Sequence, residues 1–441
     1  MASVSFDEYN PGTVQLEEIT LKSLINDKEI DIRTIVLETN VFESLSKPFV
    51  TAEFVIEDSL SLISQFPIVG QETIRVKFKT PPKSYLKKIE QEFRVYSIQE
   101  LQQTKERTVV YVVKAIAPEA INDAKTTVRR SYADMLISEM AKKVFDDYLK
   151  VDKDLEVTET ETTRTFAIPN LTPANTLRFL AREAKHPAFV PSNYIFFQNN
   201  DGFYFKTIEE LLSKKPMDKF YTTAKNISQT ADDNTASRNA AQKQTKPFEF
   251  RKISDIRFIR VFDNLLMMKK GGFANKLFYI NPVMSTFNES KFDYNNDLRN
   301  MNVTTRGKMG RFLTENADLL NGDGMNHQIY LSTNMGIQGP PEFIDRKPEF
   351  IHYVAGSVAL LDNVVCNVTI PGDSDRRAGD VIILELPEYS ATDDLIDKTH
   401  RLLSGTYLVT SVRHIINQEK NYSCVMQCIK NAYEQDPDDI K

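Results

Sequence analysis

The residues that could do chemistry are few and far apart. The five histidines, His186, His327, His352, His400 and His414, never stand at His-x-His or His-x-x-x-His spacing, so no pair presents the adjacent ligands that a metal site needs. Structural roles are expected for them. Cys424 and Cys428 are four apart, which puts both on one face of a strand, but no His or further Cys lies at a zinc-type interval. They read as packed core thiols. Asp373 and Asp375 have the opening spacing of a calcium loop, yet Arg376 and Arg377 follow and would repel the ion, so the segment reads as a turn. There is no Gly-x-Ser-x-Gly, no phosphate-binding Gly-Lys-Ser/Thr loop and no dinucleotide fingerprint. Adjacent carboxylates such as Asp7 and Glu8 are too common at this composition to nominate an acid–base pair. The sequence therefore nominates no catalytic residue, no cofactor-binding residue and no metal ligand. It calls for no cofactor and favours a structural role.

Bulk properties narrow the classes further. A chain of 441 residues is long for one ordinary domain and suggests about three. A hydrophobic content of 41% supports well-buried cores. The net charge of −6 argues against a nucleic-acid-binding surface, which carries a basic excess. Three cysteines, an odd number, give no disulfide framework and fit a reducing compartment. The opening MASVSFDEYNPG has neither the basic nor the apolar part of a signal peptide, and no run approaches the roughly 20 apolar residues of a membrane span. A soluble protein made in a cytoplasm is expected.

The elements that must position everything else are mostly strands. Residues 13–37 read as strand pieces broken at Asn26-Asp27, and 31–39 with 49–57 as a strand pair. Ser61–Phe66 is a short amphipathic bridge. Ser131 reads as the N-cap of a helix with Leu136, Met140, Val144 and Tyr148 on one face. A polar strand-like piece, VTETETTRTFAIPN, follows. Thr172 then caps a helix with Pro173 at its first position and Leu177, Leu180, Ala181 and Ala184 buried. Residues 193–212 form a hairpin about Asn200-Asp201-Gly202 that closes into a short helix. Tyr221–Lys246 reads as a long exposed connection, and residues 249–282 as strands around Lys270-Gly271-Gly272. Lys291–Gly339 is polar and irregular or inserted, and Pro348–Leu361 is a helix with Ile351, Val354, Ala355 and Val358 inward.

The closing stretch organises the chain. GDVIILELPE, SGTYLVTSVRHII and NYSCVMQCI read as three strands, with Tyr407, Val409, Ser411, Arg413 and Ile415 on one face and Leu408, Thr410, Val412 and His414 on the other. An earlier stretch echoes it. GQETIRVKFKTP, EFRVYSIQEL and RTVVYVVKAIAPEA repeat the order, and placing Ser97 on Ser411 brings the following strands nearly into register. The echo suggests two copies of one β-module.

The segment IPGDSDRRAGDVIILELPE, then LSGTYLVTSVRHII, then YSCVMQCIKNAYE, resembles the end of baseplate hub proteins of contractile-tailed phages. It is similar also to the N-terminal hub part of type VI secretion spike (VgrG) proteins. Gly372, Gly379, Gly405, Tyr407 and His414 fall where that pattern wants them, and Leu171–Phe205 looks like the family's helix and aromatic hairpin. Close residue matching is confined to the closing stretch, and Tyr221–Lys246 and Lys291–Gly339 have no counterpart. The resemblance implies an α+β, mainly β fold: two related antiparallel β-barrel modules, a mixed α/β middle domain and inserted loops. The corresponding division is 13–120 for the first module, 121–246 for the middle domain, 247–290 with 355–435 for the second module, and 291–354 for an insertion with a helix. It also implies a non-enzymatic homotrimer in a virion tail baseplate, assembled in the host cytoplasm. Its partners would be a central spike protein below, tail tube or tube-initiator proteins above, and other baseplate proteins. Neither sequence-specific nucleic-acid binding nor stable membrane insertion is implied, though DNA would pass through the ring. Two alternatives stay open from the residues: a tail-associated cell-wall hydrolase, and a carbohydrate-binding module using Tyr and Phe of 193–205.

Overall fold

A computed structural model describes residues 10–431 apart from 25–27, 82–86, 106, 152, 162, 189–190, 223–249, 283–284, 294–326, 332–349, 362, 389–398 and 401. The first seven strands are β1 Gln15–Lys22, β2 Glu29–Asp31, β3 Val36–Ser44, β4 Thr51–Asp58, β5 Thr73–Lys79, β6 Ile89–Lys105 and β7 Thr108–Ile116. The middle of the chain gives β8 Ser131–Leu136, β9 Leu155–Val157, β10 Thr163–Ala167, β11 Tyr194–Gln198, β12 Phe203–Thr207 and β13 Asp218–Tyr221. The rest gives β14 Asp255–Arg260, β15 Ala274–Asn281, β16 Thr286–Asp293, β17 His327–Leu331, β18 Val364–Pro371, β19 Val381–Glu385, β20 Gly405–Asn417 and β21 Tyr422–Lys430.

Thirteen of these strands form one sheet, ordered β14-β18-β21-β20-β3-β4-β7-β6-β5-β1-β2, with β19 on β20 and β13 on β19. The sheet is mainly antiparallel and, among the described residues, does not close into a barrel; β13 reaches the segment before β14 by a single bridge, Tyr221–Lys252. One apolar cluster runs through it from Ile19, Phe54 and Phe78 to Val368, Tyr407 and Met426. Each such side chain contributes about 1.5–3 kcal/mol on burial, so this continuous core is the main cohesion between the early and late strands.

The echo in the sequence is a repeat of backbone geometry. Crossing the sheet from Val95, one rung reads Val95, Ala115, Ala52, Val41; from Val409 the matching rung reads Val409, Cys428, Cys366, Phe258. Both sets carry a β-bulge at the same place, between Val95 and Ser97 and between Val409 and Ser411. Both tie the bulge with the same hydrogen bond: Val95 N–H to the Glu72 carbonyl at 2.9 Å, and Val409 N–H to the Asp380 carbonyl at 2.8 Å. The turn before each acid uses a glycine at positive φ, Gly70 at 88° and Gly379 at 95°. The sets part company at the outer strand, since β1 meets β5 antiparallel while β13 meets β19 parallel.

The bulge corrects the strict alternation expected along β20. One extra residue at Thr410 swaps the faces. Val412 and Ile416 therefore join Tyr407 and Val409 in the core, His414 is fully buried, and Ser411, Arg413 and Ile415 are only partly so. Cys424 and Cys428 do share a face, both buried and free of disulfides.

Between the two strand sets lies the middle region. Its core packs Ile137, Met140, Val144, Leu177 and Leu180 against Phe196, Phe203 and Phe205. The helix Pro173–Glu183 has the expected Thr172 cap, whose hydroxyl accepts the Asn175 N–H at 3.4 Å. The hairpin β11–β12 and the helix Ile208–Ser213 also form as read. The helix expected from Ser131 does not begin there. Ser131–Leu136 is β8, held by β10, and the helix runs from Ile137 to Val144. Its continuation is a π turn, Phe145–Leu149, which buries Phe145 and Leu149 and leaves Tyr148 partly exposed.

Other boundaries moved as well. The early strand starts at Val36, not residue 31, because Ile32–Ile35 make a turn closed by Val36 N–H on the Ile32 carbonyl at 3.1 Å. Asn264–Lys270 is a helix, capped by Asp263 and ended by Gly271 at φ 77°, where strands were expected. The later helix spans Ile351–Leu361, but its buried face is His352, Gly356, Ala359 and Leu360, with Val358 46% exposed. Gly356 sets that rotation, because a Cβ there would meet the Phe292 ring at 2.4 Å. β15, β16 and β17 form a sheet of their own beside this helix. The Asn26-Asp27 turn, nearly all of Tyr221–Lys246, and most of Lys291–Gly339 lie outside the described residues.

Candidate functional site

The arrangement with most to say about function is a joint, where β20 lies antiparallel against β3 from Ser411–Ser44 to Asn417–Glu38. This pairing makes the early and late strands one sheet. On its partly exposed face, Arg413 donates from Nε to the Asn40 side-chain oxygen at 2.9 Å and from Nη2 to Glu38 at 3.3 Å, with its guanidinium 5.5 Å above the Phe42 ring.

The buried face is charged at its centre. The turn Gly372–Asp380, the DSDRR segment read as no calcium loop, packs against β3, the end of β5 and the tip of the β11–β12 hairpin. Asp373 accepts the Asp375 N–H at 3.0 Å, and Arg376 lies 3.3 Å from Asp373 and 3.6 Å from Asp218. Arg377 donates to Asp201 at 3.0 Å and to the Ser374 and Arg376 carbonyls at 2.7 and 2.9 Å. Glu43, from β3, accepts the N–H groups of Asn200 and Ala378 at 3.0 and 2.9 Å. Thr80 and Ser374 exchange two hydrogen bonds at 3.1 and 2.8 Å. Parts of the chain far apart in sequence thus meet around the buried Glu43, Arg376 and Arg377. Burial pushes the Glu43 carboxyl up to about 7, with the Arg377 charge opposing part of that rise.

Next to this set sits His414, fully buried, with Nδ1 2.8 Å from the Tyr422 hydroxyl and 3.3 Å from Cys424 Sγ. Burial, then the Arg377 charge, pushes its pKa down to about 3, so it is neutral at ordinary pH. Burial likewise pushes the Cys424 thiol up to about 12, so it is no nucleophile. A His–Cys–Tyr contact could suggest catalysis, but all three groups are sealed in the core. Among the described residues, no group of three or more His, Cys, Asp or Glu side chains could hold a metal ion.

Among the described side chains, His186, His352 and His400 do not come together; the His327 side chain lies outside them. His186 lies near Tyr194, His352 is buried in its helix, and His400 accepts the Leu403 N–H at 3.2 Å. Of the hairpin aromatics, Tyr194, Phe196, Phe197, Phe203 and Phe205 are buried, and Tyr204 is partly exposed with its ring stacked 5.1 Å from that of Phe197. Sequence reasoning missed Glu43, Asp201 and Arg377 as a group. Its available signal was the Arg-Arg pair inside a polar turn between two apolar strands.

No family model matches this chain, and no curated protein matches it. Solved structures do. A tail protein from Neisseria meningitidis MC58 has a similar fold, with a TM-score of 0.53 at 9% identity, covering 94% of this chain and 96% of its own. The 43 kDa tail protein of prophage MuSo2 from Shewanella oneidensis gives 0.53 at 10% identity, covering 94% and 98%. The E. coli c3393 protein, a component of the type VI secretion system, is a looser match at 0.42 and 8% identity, covering 96% and 79%. The resemblance read from the closing strands therefore extends over nearly the whole chain, as a likeness of fold to phage tail proteins.

Proposed function

We propose that this protein is the structural baseplate hub of a contractile phage tail. Three copies form a ring in which six related β-modules, each closed as a barrel in the assembly, face the sixfold tail tube while the threefold symmetry matches a central spike. Duplication inside a trimer is the physical means of converting three copies into six similar surfaces. The observation that carries this reading is the repeated rung, bulge and carboxylate turn in two halves of one sheet. The likeness of fold to phage tail proteins supports it.

In this reading the protein is not an enzyme. It initiates the tube, contacts other baseplate proteins, resides in the virion tail after assembly in the host cytoplasm, and forms part of the DNA ejection channel. The proposed division remains residues 13–120, 121–246, 247–290 with 355–435, and the insertion 291–354. A net charge of −6 suits a channel that must let DNA pass, since like charges do not adhere.

Light scattering of the purified chain across a concentration series tests the ring. The expected mass is that of a trimer of the 50.5 kDa chain. A monomer at every concentration would sink the self-assembling ring, and turnover of purified peptidoglycan would sink the non-enzymatic reading.

A further inference from the structure

The joint inside the chain is a template for a contact between chains. Beyond its bulge, β20 is covered by β3. The matching part of β6, beyond its own bulge, pairs with β7 alone among the described residues. The strand matching β3 is β14, which pairs as a strand with β18 alone among the described residues. Each half of the repeat therefore has one member of the joint covered at home and the other open.

Registers make the correspondence testable. Gln99 stands opposite Val112 as Arg413 stands opposite Val425, and Gln102 opposite Val110 as Ile415 stands opposite Ser423. On the other strand, Arg260 corresponds to Phe42 and Arg257 to Asn40, judged by their partners Val365, Thr51, Asn367 and Glu53. In the joint, Arg413 faces Phe42 and Ile415 faces Asn40. Carried across, Gln99 faces Arg260 and Gln102 faces Arg257. Relative to the joint, β6 has one extra residue between those rungs, at its bulge of Glu100 and Leu101, and β14 has one extra residue, Ile259. The two insertions fall opposite each other and restore the register.

The surfaces agree with the registers. Tyr96 and Leu101 on β6 are 51% and 59% exposed, and Ile259 and Phe262 at β14 are 52% and 65% exposed. Large apolar side chains so exposed at two sheet edges mark a surface that is covered in use. The charges are also complementary: β6 carries Glu100 where β14 carries Arg257 and Arg260. In the joint the arginine is on β20 and the acid on β3, so the polarity is reversed.

We propose that residues 97–103 of one copy pair antiparallel with residues 256–262 of the next, with Gln102 facing Arg257, as the strand contact that closes the ring. This rests on the trimer reading and names its interface.

Cysteine cross-linking tests it. Ile415 and Asn40 lie between backbone-bonded rungs, where opposed side chains come closest, so their counterparts suit a disulfide. Mixing Gln102→Cys with Arg257→Cys chains under mild oxidation is expected to give a covalent dimer, and the double variant a covalent trimer. Gln102→Cys mixed with Asp255→Cys is the shifted-register control and is expected to cross-link far less. A trimer by light scattering without the expected cross-link, or with equal cross-linking in the control, overturns the edge pairing and leaves the ring standing. A monomer at every concentration overturns both. A second measurement avoids new thiols: Leu101→Lys is expected to shift the mass toward monomer, whereas Leu60→Lys, at a residue 57% exposed but outside both strands, is not. Equal behaviour of these two variants, with unchanged thermal melts, overturns the proposal.

Discussion

The stretch of β20 beyond its bulge and the stretch of β6 beyond its own are the same piece of backbone in two settings. Under β3, Val412 and His414 are buried and Ile415 partly so; on β6, Gln99, Glu100, Leu101 and Gln102 are all exposed. The turns before them differ too. In the early half, Glu72 accepts the N–H groups of Val69, Gly70 and Gln71 at 2.9, 2.9 and 3.1 Å, so the turn is closed by its own acid. In the late half the turn's own acid also accepts, Asp380 from the Arg377 N–H at 2.9 Å, but the Arg377 side chain in addition ties the turn to Asp201 and lies beside Glu43, both far away in sequence. Bulge and glycine belong to the local repeat, whereas burial, charge and pKa belong to what lies alongside.

The contrast should be sharpest at the charged turn. Arg377→Met strips Glu43 and Asp201 of their shared cation and is expected to cost about 3–5 kcal/mol in denaturant unfolding. Glu72→Ala, which opens only a local turn, should cost about 1–3 kcal/mol. Equal losses would mean that the two turns are held alike.

The pH dependence separates the halves next. Glu43 has a folded pKa of about 7 against an ordinary 4.5, so its contribution is complete below 4.5 and lost as pH rises toward 7. His414 has a folded pKa of about 3 against 6.5, so its contribution is complete above 6.5 and lost as pH falls toward 3. Across their own windows they are worth about 3 and about 5 kcal/mol respectively, and the two slopes oppose between 4.5 and 6.5. Stability of the native chain should be nearly level there. Glu43→Gln should make stability rise with pH over that window, and His414→Gln should make it fall. Unchanged profiles in both variants would show that neither group titrates in the joint.

Smaller effects probe single positions. Gly372→Ala would place a Cβ about 2.0 Å from the Tyr422 ring and should cost roughly 1–3 kcal/mol by forcing that ring aside. Asp58 holds the matching place in the early half, so Asp58→Ala should act by losing its bonds to Leu60 and Leu62 N–H rather than by crowding. Thr172→Ala should cost about 1 kcal/mol as a lost helix cap, and Ser131→Ala, on an exposed strand residue, less than about 0.5 kcal/mol. Thermal melts of the pair decide between a cap at Thr172 and one at Ser131.

Local pattern made the closing strands, the helix after Thr172 and the aromatic hairpin legible, since each is defined by spacing within a dozen residues. Ser131 misled because a good cap residue also suits an edge strand, and only the distant β10 decides between them. The bulge at Thr410 was hidden because a face swap of one residue looks like imperfect alternation. The joint was beyond reach of any window, because Arg413 and Asn40 are 373 residues apart. Arg376 and Arg377 were legible only as residues that a calcium loop would not carry; their role needed the distant acids to be placed beside them.

That separation carries a consequence in time. While the chain is being made, β3 has no partner on its far edge until Gly405–Asn417 has emerged. At about 5–20 residues per second, the delay is roughly 20–75 s. For that interval a nascent chain displays an unpaired strand edge to other nascent chains, which is the geometry of misassembly. Chains ended just before Gly405 are therefore expected to aggregate through β3, and Val41→Lys in the same truncated chain should suppress it; aggregation indifferent to that change would place the hazard elsewhere.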